Sequence, residues 1–295
     1  MDKGKTLAGI GFGLGAYGIW GFFPLFFRQL GHVSPADVLC NRALWGCVLV
    51  SLILTVRRGW PQVGAAARRP GNVMRLAFAG LLVGSNWLGF LWAVDQRLVI
   101  AGSLGYFLTP LVNVLLGMLV LKERLNGKEW AAVGLAVAAV GNEFVALGSL
   151  PWVSLFLGGT FGLYGLVRKQ VPVDAVSGLW LETLSMLPLV GLYALWQGSQ
   201  GHAVFTGHDG LTDFLLAMSG VMTALPLMLF AAATQRLNLA TVGMLMYINP
   251  TMQLVTAVWI FGEELQPARL VTFGLIWAGL LCYSWAGWEK YRQAA

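Results

Sequence analysis

Apolar runs of about 20 residues recur ten times along the 295-residue chain, and they constrain its fold more than any other feature. Each run is long enough to cross the hydrocarbon core of a bilayer, roughly 30 Å thick, as a helix. The runs lack the alternation of barrel strands, and backbone polar groups in lipid must bond within their own segment, so we predict helices. The runs cover residues 7–27, 36–56, 74–94, 99–121, 128–147, 150–168, 175–197, 212–233, 239–261 and 268–288.

The composition fits a chain embedded in lipid and leaves no room for a soluble catalytic domain. Hydrophobic residues make up 57% of the chain and charged residues 11%, whereas a soluble domain carries about a quarter charged residues. The three cysteines fall inside predicted spans, and Cys40 and Cys47 lie too far apart on one helix for a disulfide. The three histidines have no second ligand at metal-binding spacing. We therefore expect neither a metal nor a redox role.

One short motif matches a cofactor site by its letters alone. Residues 13–18 read GLGAYG and fit the dinucleotide-binding fingerprint G-x-G-x-x-G. That fingerprint requires a preceding strand, whereas this stretch lies inside an apolar span. Small residues that let helices pack closely explain the glycines better, so we expect no cofactor.

The two halves of the chain repeat a pattern. Two apolar helices joined by a Gln-Arg-Leu turn occur in each half. A proline and a glutamate then stand thirteen residues apart in both, as Pro110 and Glu123 and as Pro250 and Glu263. The pattern indicates an internal duplication.

Five spans in each half is an odd number, so a second half that repeats the first must cross the membrane in the opposite direction. With a cytoplasmic N-terminus, fifteen basic residues lie in inside segments and three in outside segments. The positive-inside rule therefore places both termini in the cytoplasm, and the net charge of +6 needs no nucleic-acid partner. We predict an all-α membrane protein of ten helices in two inverted five-helix repeats, residues 1–148 and 149–295, with a site near midplane between them.

Several short motifs together resemble one family of transporters. They are FFPL (22–25), NRALW (41–45), SNW (85–87), LWAV (91–94), SLGYF (103–107), LxERL (121–125), LYGLxRK (163–169), ETL (182–184), TALPL (223–227) and YINPT (247–251). In this combination they resemble the RarD branch of the EamA family, in the drug/metabolite transporter superfamily, over nearly the whole chain. The resemblance implies a ten-helix permease of the bacterial inner membrane that exports small metabolites or drugs.

Two charged side chains fall well inside predicted spans and are the first candidates for a functional site. A guanidinium such as that of Arg42 costs about 2.5 kcal/mol or more at such depth unless it faces protein or water. Arg42 therefore either faces the interior, where it would bind an anionic group of the substrate, or snorkels to the nearby interface. Glu182 lies as far inside the seventh span, but toward the inner side of the membrane, whereas Arg42 lies toward the outer side, so an ion pair between the two does not follow. The buried carboxyl of Glu182 is a candidate proton carrier, and a brace between helices is the alternative.

Polar and aromatic residues that the repeat places near the centre form a second group of candidates. They either bind substrate or hydrogen-bond helix to helix, an interaction that contributes about 0.6 kcal/mol in membranes. Two further acids, Asp95 and Glu143, lie near span ends and are expected to be interfacial. The central candidates are Asn86, Trp87, Tyr106, Phe107, Asn113, Tyr247 and Asn249.

The two repeated prolines are candidates for a gate. Pro110 and Pro250 each lack the N–H that an uninterrupted helix would use, so we expect both to break their helices. Freed carbonyls at this depth are tolerated where protein or a water-filled cavity receives them. The breaks are therefore expected to border the pathway.

A secondary transporter is the function that these features favour, because no Walker-type glycine-lysine loop or nucleotide domain is visible to supply ATP energy. A membrane-embedded enzyme would need convergent catalytic groups, and none is visible in the spans, so we expect no enzyme. A non-transporting sensor or assembly partner is the alternative, since it would use the same bundle. The expected partners are a small-molecule substrate and the lipid bilayer, and the sequence is compatible with a monomer.

Overall fold

The computed structural model describes residues 3–121, 127–205, 209–234, 236 and 245–294, and most of these residues are helical. No strand occurs in these ranges. The helices are α1 (Lys3–Gly21), α2 (Phe23–Arg28), α3 (Pro35–Val56), α4 (Trp60–Ala67), α5 (Pro70–Asp95), α6 (Val99–Leu121), α7 (Gly127–Leu147), α8 (Trp152–Lys169), α9 (Ala175–Ser199), α10 (Gly210–Thr234), α11 (Ile248–Val255) and α12 (Pro267–Ala294), and a π-helical turn (Thr256–Ile260) follows α11.

Within the described residues, the predicted apolar runs are helical over most of their length, with short interruptions in the first and ninth runs. Residues 239–244 of the ninth run lie outside the described residues, and residues 248–260 of that run form α11 and the π-helical turn. The segments long and apolar enough to cross a membrane are Thr6–Arg28, Pro35–Val56, Pro70–Asp95, Ala175–Ser199 and Gly210–Phe230, with shorter apolar helices at Val99–Thr109 and Trp130–Ala146. The all-α fold with several apolar spans is therefore confirmed, while the number of crossings and their inversion stay predictions.

Two local features depart from the sequence prediction. The 57–75 connection, expected to be a loop, contains the short helix α4, whose Val63 and Ala66 are buried. The first span is interrupted between α1 and α2, because Pro24 cannot donate to the carbonyl of Trp20. Gln253 Nε2 donates to that freed carbonyl at 3.4 Å. The interruption therefore ties the first span to α11.

Polar caps fix where two long helices begin. The side chain of Ser34 accepts from the backbone N–H of Asp37 at 3.1 Å, directly before Pro35 at the first position of α3. Asp174 caps α9 in the same way, accepting from Val176 N at 3.1 Å and Ser177 N at 3.0 Å. Such caps satisfy backbone donors that a helix leaves unpaired at its start. They set the registers that bring Arg42 and Glu182 into the bundle.

The long helices pack in a definite pattern, and their outer faces carry large apolar side chains. The helix α6 lies along α8, α7 along α12, and α10 against both α1 and α3. The helix α5 packs on α8 and α9, α3 packs on α9, and α11 packs on α1 and α6. Side chains such as Val145, Leu195 and Trp259 are exposed on the outside. Such an exposed apolar surface is suited to contact with lipid.

The two repeated prolines differ in their effect on the helix. The helix α6 continues through Pro110, so the predicted break there is not observed, although the side chain of Pro110 lies outside the described residues. A membrane helix can carry one missing hydrogen bond with a bend instead of a break. At Pro250 the helix is interrupted three residues earlier by a turn at Tyr247, and Pro250 itself is buried in α11. A gating role for either proline stays a prediction.

Glycines bring several helix pairs into backbone contact. A Cβ added at Gly105 of α6 would lie 2.8 Å from the carbonyl oxygen of Ser154 in α8. One added at Gly80 of α5 would lie 2.7 Å from the carbonyl oxygen of Glu182, and one at Gly220 of α10 would meet the backbone of α3 at a similar distance. Small residues at such crossings allow helices in membranes to pack closely.

Replacing Gly105 by alanine is expected to destabilise the protein by about 1–3 kcal/mol, because the new methyl group overpacks the contact between α6 and α8. Gly102 lies one turn earlier on the same helix, and a Cβ there would have its nearest neighbour at 3.7 Å. Gly102→Ala is therefore the matched control and should stay within about 0.5 kcal/mol of the wild type. Thermal unfolding in detergent measures both, and equal losses would contradict the assigned crossing.

Candidate functional site

The interior of the bundle holds an arginine among aromatic rings. Arg42 is only 2% exposed, about 10 Å along the axis from the start of α3. Its Cζ lies 4.2 Å from the ring centroid of Trp87 and 5.2 Å from those of Phe23 and Phe27. Its Nε donates to Thr223 Oγ1 at 2.6 Å. We call these five residues the arginine box.

The arginine box stabilises a cation without neutralising it. Each cation–π contact contributes about 2 kcal/mol when desolvated, so three of them offset the cost of placing a guanidinium at this depth. Arg42 Nη1 is buried and has no hydrogen-bond partner among the described residues. No described carboxylate forms an ion pair with Arg42. The box therefore keeps a positive charge and a free donor, which is what recognition of an anion requires.

Asn86 lies next to the box and joins three helices. Its Nδ2 donates to Leu157 O and to Thr160 Oγ1 of α8, both at 2.9 Å. Its Oδ1 accepts from the hydroxyl of Tyr106 in α6 at 3.1 Å. Of the two roles open to Asn86 from sequence, the hydrogen bond from helix to helix is the one made here. Tyr106 packs on Phe161 as well, with centroids 5.9 Å apart.

The remaining central candidates lie apart from the box. Phe107 is fully buried against Phe273 and Trp277 of α12, on a different face of α6 from Tyr106. The predicted grouping of these two rings is therefore not found, because consecutive helical residues point about 100° apart. Asn249 Oδ1 accepts from Gln253 Nε2 at 2.9 Å within α11. Tyr247 lies at the turn before that helix, and the side chain of Asn113 lies outside the described residues.

Glu182 belongs to a second, separate cluster near the other end of the bundle. Its Oε1 lies 3.2 Å from Nε of Arg168, and its Oε2 accepts from the hydroxyl of Tyr164 at 3.2 Å. Glu182 is 1% exposed, and both partners project from α8. The carboxylate therefore braces α9 against α8 in this structure, which is the alternative that the sequence left open. A proton-carrying role stays a prediction.

Glu143, which was expected to be interfacial, is buried between helices near the end of α7. Its Oε1 accepts from Arg269 Nε at 3.0 Å, and its Oε2 accepts from Thr272 Oγ1 at 3.1 Å. The neighbouring Asn142 donates to Ala268 O and Thr272 Oγ1. This network joins α7 to α12 and explains the burial, because a paired and hydrogen-bonded carboxylate can lie within protein. Asp95, in contrast, stays at the partly exposed end of α5.

A comparison of the buried charges singles out Arg42. Glu143 and Glu182 are each within 3.2 Å of an arginine, whereas Arg42 has only ring faces and one hydroxyl around it among the described residues. Among the ion pairs of the described residues, none joins Arg42 to Glu182. The arginine box is therefore the candidate binding site, with Arg42 and Trp87 as its two members predicted from sequence.

Sequence reasoning missed three members of the box, namely Phe23, Phe27 and Thr223. Phe23 and Phe27 stand four residues apart, a spacing that places two side chains on one face of a helix. That spacing was visible in the sequence. Thr223 lies 181 residues from Arg42, and only the packing of α10 on α3 brings the two together.

Comparison with known proteins agrees with this architecture. The model of the EamA-like transporter family matches residues 7–141. An uncharacterized transporter of Vibrio cholerae is 39% identical over 293 residues, covering 99% of this chain and 97% of that protein. Protein RarD of Salmonella typhi is 39% identical over 284 residues, covering 96% of each. A solved structure, described only as "Crystal structure of protein", shares the fold at a TM-score of 0.60 and 19% identity, covering 96% of this chain and 98% of that chain.

The fold, the apolar spans and these relatives define a multi-pass membrane transporter of the drug/metabolite class. Several of its relatives are named as transporters, which points away from an enzyme. The chain belongs to the EamA family, and within it to the RarD branch.

Proposed function

We propose that the protein is a secondary transporter that exports small metabolites or drugs across the bacterial inner membrane by alternating access. The observation that carries this proposal is the unpaired cation of the arginine box, buried in the bundle of a chain with several relatives named as transporters. A fixed charge at such depth is typical of a substrate site. Arg42 would bind an anionic group of the solute, and Trp87 and Tyr106 would contact its apolar part.

Helix packing supports two inverted repeats, residues 1–148 and 149–295. Taken in order, the first half's α1, α3, α5, α6 and α7 correspond to the second half's α8, α9, α10, α11 and α12. Under this correspondence, the pair α1 and α10 maps onto the pair α8 and α5, and both pairs are in contact. The pair α6 and α8 likewise maps onto the pair α11 and α1, and both of these are in contact as well. The corresponding helices α3 and α9 pack on each other, as do α7 and α12. Such reciprocity is what a two-fold axis in the membrane plane produces.

Individual positions support the same repeat. Both Arg42 and Glu182 stand eight residues after the cap of their helix. The glycines that touch α3 and α9 lie on the corresponding helices α10 and α5. One constant separation of 140 positions relates Ser34 to Asp174, Arg42 to Glu182, Gly80 to Gly220 and Pro110 to Pro250.

Flux into proteoliposomes tests transport, and it separates a transporter from a sensor or an enzyme. The panel contains small aromatic carboxylates, their neutral amides and cationic analogues, with protein-free liposomes as the control. Substrate-dependent flux of at least one class is expected, and a panel with none would count against the proposal. The charge distribution supports an N-in, C-in orientation, and reporter fusions that place the 57–75 connection outside would rule it out.

A further inference from the structure

A carboxylate joins two distant segments at the end of the bundle that the charges predict to be outside. Glu263 follows the π-helical turn, and its Oε1 accepts from the backbone N–H of Val99 at 2.8 Å. Its Oε2 accepts from the N–H of Ile100 at 2.9 Å. Both amides belong to the first turn of α6 and have no acceptor within their own helix. The negative charge also lies favourably at a helix N-terminus.

The backbone around Glu263 holds its side chain in place. Phe261 N donates to Thr256 O at 3.0 Å, and Glu263 N donates to Ala257 O at 2.9 Å. Gly262 between them has a φ of 67°, in the left-handed region that glycine adopts without strain. The carboxylate is therefore positioned by its own segment before it meets α6.

The contact continues inward from Glu263 along the same helix pair. Ser103, one turn further along α6, is fully buried and donates to the carbonyl oxygen of Pro250 in α11 at 2.7 Å. The apolar side chains of Val99, Ile100 and Leu254 belong to one buried cluster. The α6–α11 interface is therefore closed from the bundle end to the depth of Pro250.

Two arginines near Glu263 have hydrogen-bond or ion-pair partners other than Glu263. Arg28 lies over the ring of Phe261 at 5.9 Å and donates to the backbone oxygens of Val94 and Asp95. Arg269 is bonded to Glu143. Together with Arg97 and the exposed Glu264, the segment lines an open pocket of about 260 Å³. Glu263 is thus the carboxylate, among the described residues, that bonds to α6.

We propose that Glu263 is a gating residue whose two hydrogen bonds hold the outer end of α6 closed against the ninth span. This inference rests on the alternating access proposed above, in which that end must open in one state. A carboxylate offers one oxygen to each amide. Glutamine offers one oxygen and one NH₂ group, which would face an N–H, so Glu263→Gln keeps the size of the side chain and loses half of the contact.

Cysteine labelling from outside tests the gate without a transported substrate. Ser103→Cys is the reporter, in a chain whose Cys40, Cys47 and Cys282 are replaced by alanine. A membrane-impermeant maleimide is expected to label it roughly tenfold faster in Glu263→Gln, because a hydrogen bond to a charged acceptor is lost. Glu264→Gln, one residue along and exposed, is the matched control and should label at the reporter chain's own rate.

A second variant removes the donor instead of the acceptor. Val99→Pro deletes one of the two amides at the first position of α6, where proline fits a helix. It should accelerate labelling of Ser103→Cys as Glu263→Gln does, and the two effects should not add, because both act on one contact. A second reporter chain keeps the buried Cys40 as its single cysteine and measures any general loosening of the bundle. Its labelling rate should not change in Glu263→Gln or Val99→Pro.

Unchanged labelling in both Glu263→Gln and Val99→Pro would overturn the gate, as would equal acceleration at Cys40. Flux assays separate this failure from failure of the proposed function. If the protein transports a solute but labelling is unchanged, the gate is wrong and the transport function stands. If labelling is faster but no solute is transported, the gate stands and the result counts against the proposed solute classes.

Discussion

Replacing Arg42 by glutamine is expected to lower transport of an aromatic carboxylate by roughly tenfold to a hundredfold, while transport of its neutral amide stays near the wild-type rate. The expected loss corresponds to about 1.5–3 kcal/mol for a hydrogen bond to a charged group. Glutamine retains a polar group in the arginine box and removes the fixed cation. Flux of the matched pair of solutes, measured in the same proteoliposomes, gives the ratio directly.

Two further variants make the Arg42 experiment specific. Arg42→Lys keeps the charge and loses the planar fork, so it should recover part of the carboxylate flux. Arg28→Gln removes an arginine outside the box whose guanidinium donates to two backbone carbonyls. This variant should leave the ratio of the two solutes' transport rates unchanged. If Arg42→Gln transports both solutes at wild-type rates, Arg42 is an anchor within the protein and the site assignment is wrong.

Replacing Glu182 by leucine is expected to destabilise the protein by about 3–5 kcal/mol, because it leaves the Arg168 guanidinium partly buried without its carboxylate. The double variant Glu182→Leu with Arg168→Met replaces the pair by apolar side chains of similar size. It should recover most of the stability, since a buried pair contributes little beyond an apolar one. Thermal unfolding in detergent, together with the yield of monodisperse protein, measures both variants.

The same double variant separates a brace from a proton carrier. A brace predicts that flux recovers with stability and keeps the wild-type dependence on pH. A proton carrier predicts that the double variant folds and that its flux no longer responds to a proton gradient. Glu182→Gln, which keeps the size of the side chain, should agree with the double variant, and its unchanged pH dependence would remove Glu182 from coupling.

The long helices could be predicted from sequence because the bilayer imposes one length and one composition on every span. An interior position for Arg42 could be predicted because a charged side chain facing lipid is costly. The short helix α4 could not, since its eight residues lie between basic residues and its burial depends on contacts with other helices. The break near Pro24 could have been predicted, because a proline within a span interrupts the helical hydrogen bonds. It was missed because the residues around Pro24 form a continuous apolar run.

The contacts between residues on different helices could not be predicted from the sequence. Glu143 was predicted to be interfacial because it lies near the end of its span, and its pairing with Arg269, 126 residues away, could not be read from the sequence. Tyr106 and Phe107 were both named as central candidates, although a helix turns adjacent residues to different faces. Residue type and depth in a span identify which groups need a partner. Tertiary packing alone decides which partner they find.

Arg42 and Glu182 each stand eight residues after the cap of their helix, yet they carry opposite charges and have different neighbours. On the proposed repeat, two identical polypeptides inserted in opposite directions would have to place the same residue at both positions. They would bury two unpaired cations or two carboxylates. Fusion of the copies into one gene removes that constraint and lets each half evolve its own charge. One half can then keep a cation free for a ligand, while the other uses its carboxylate to hold helices together.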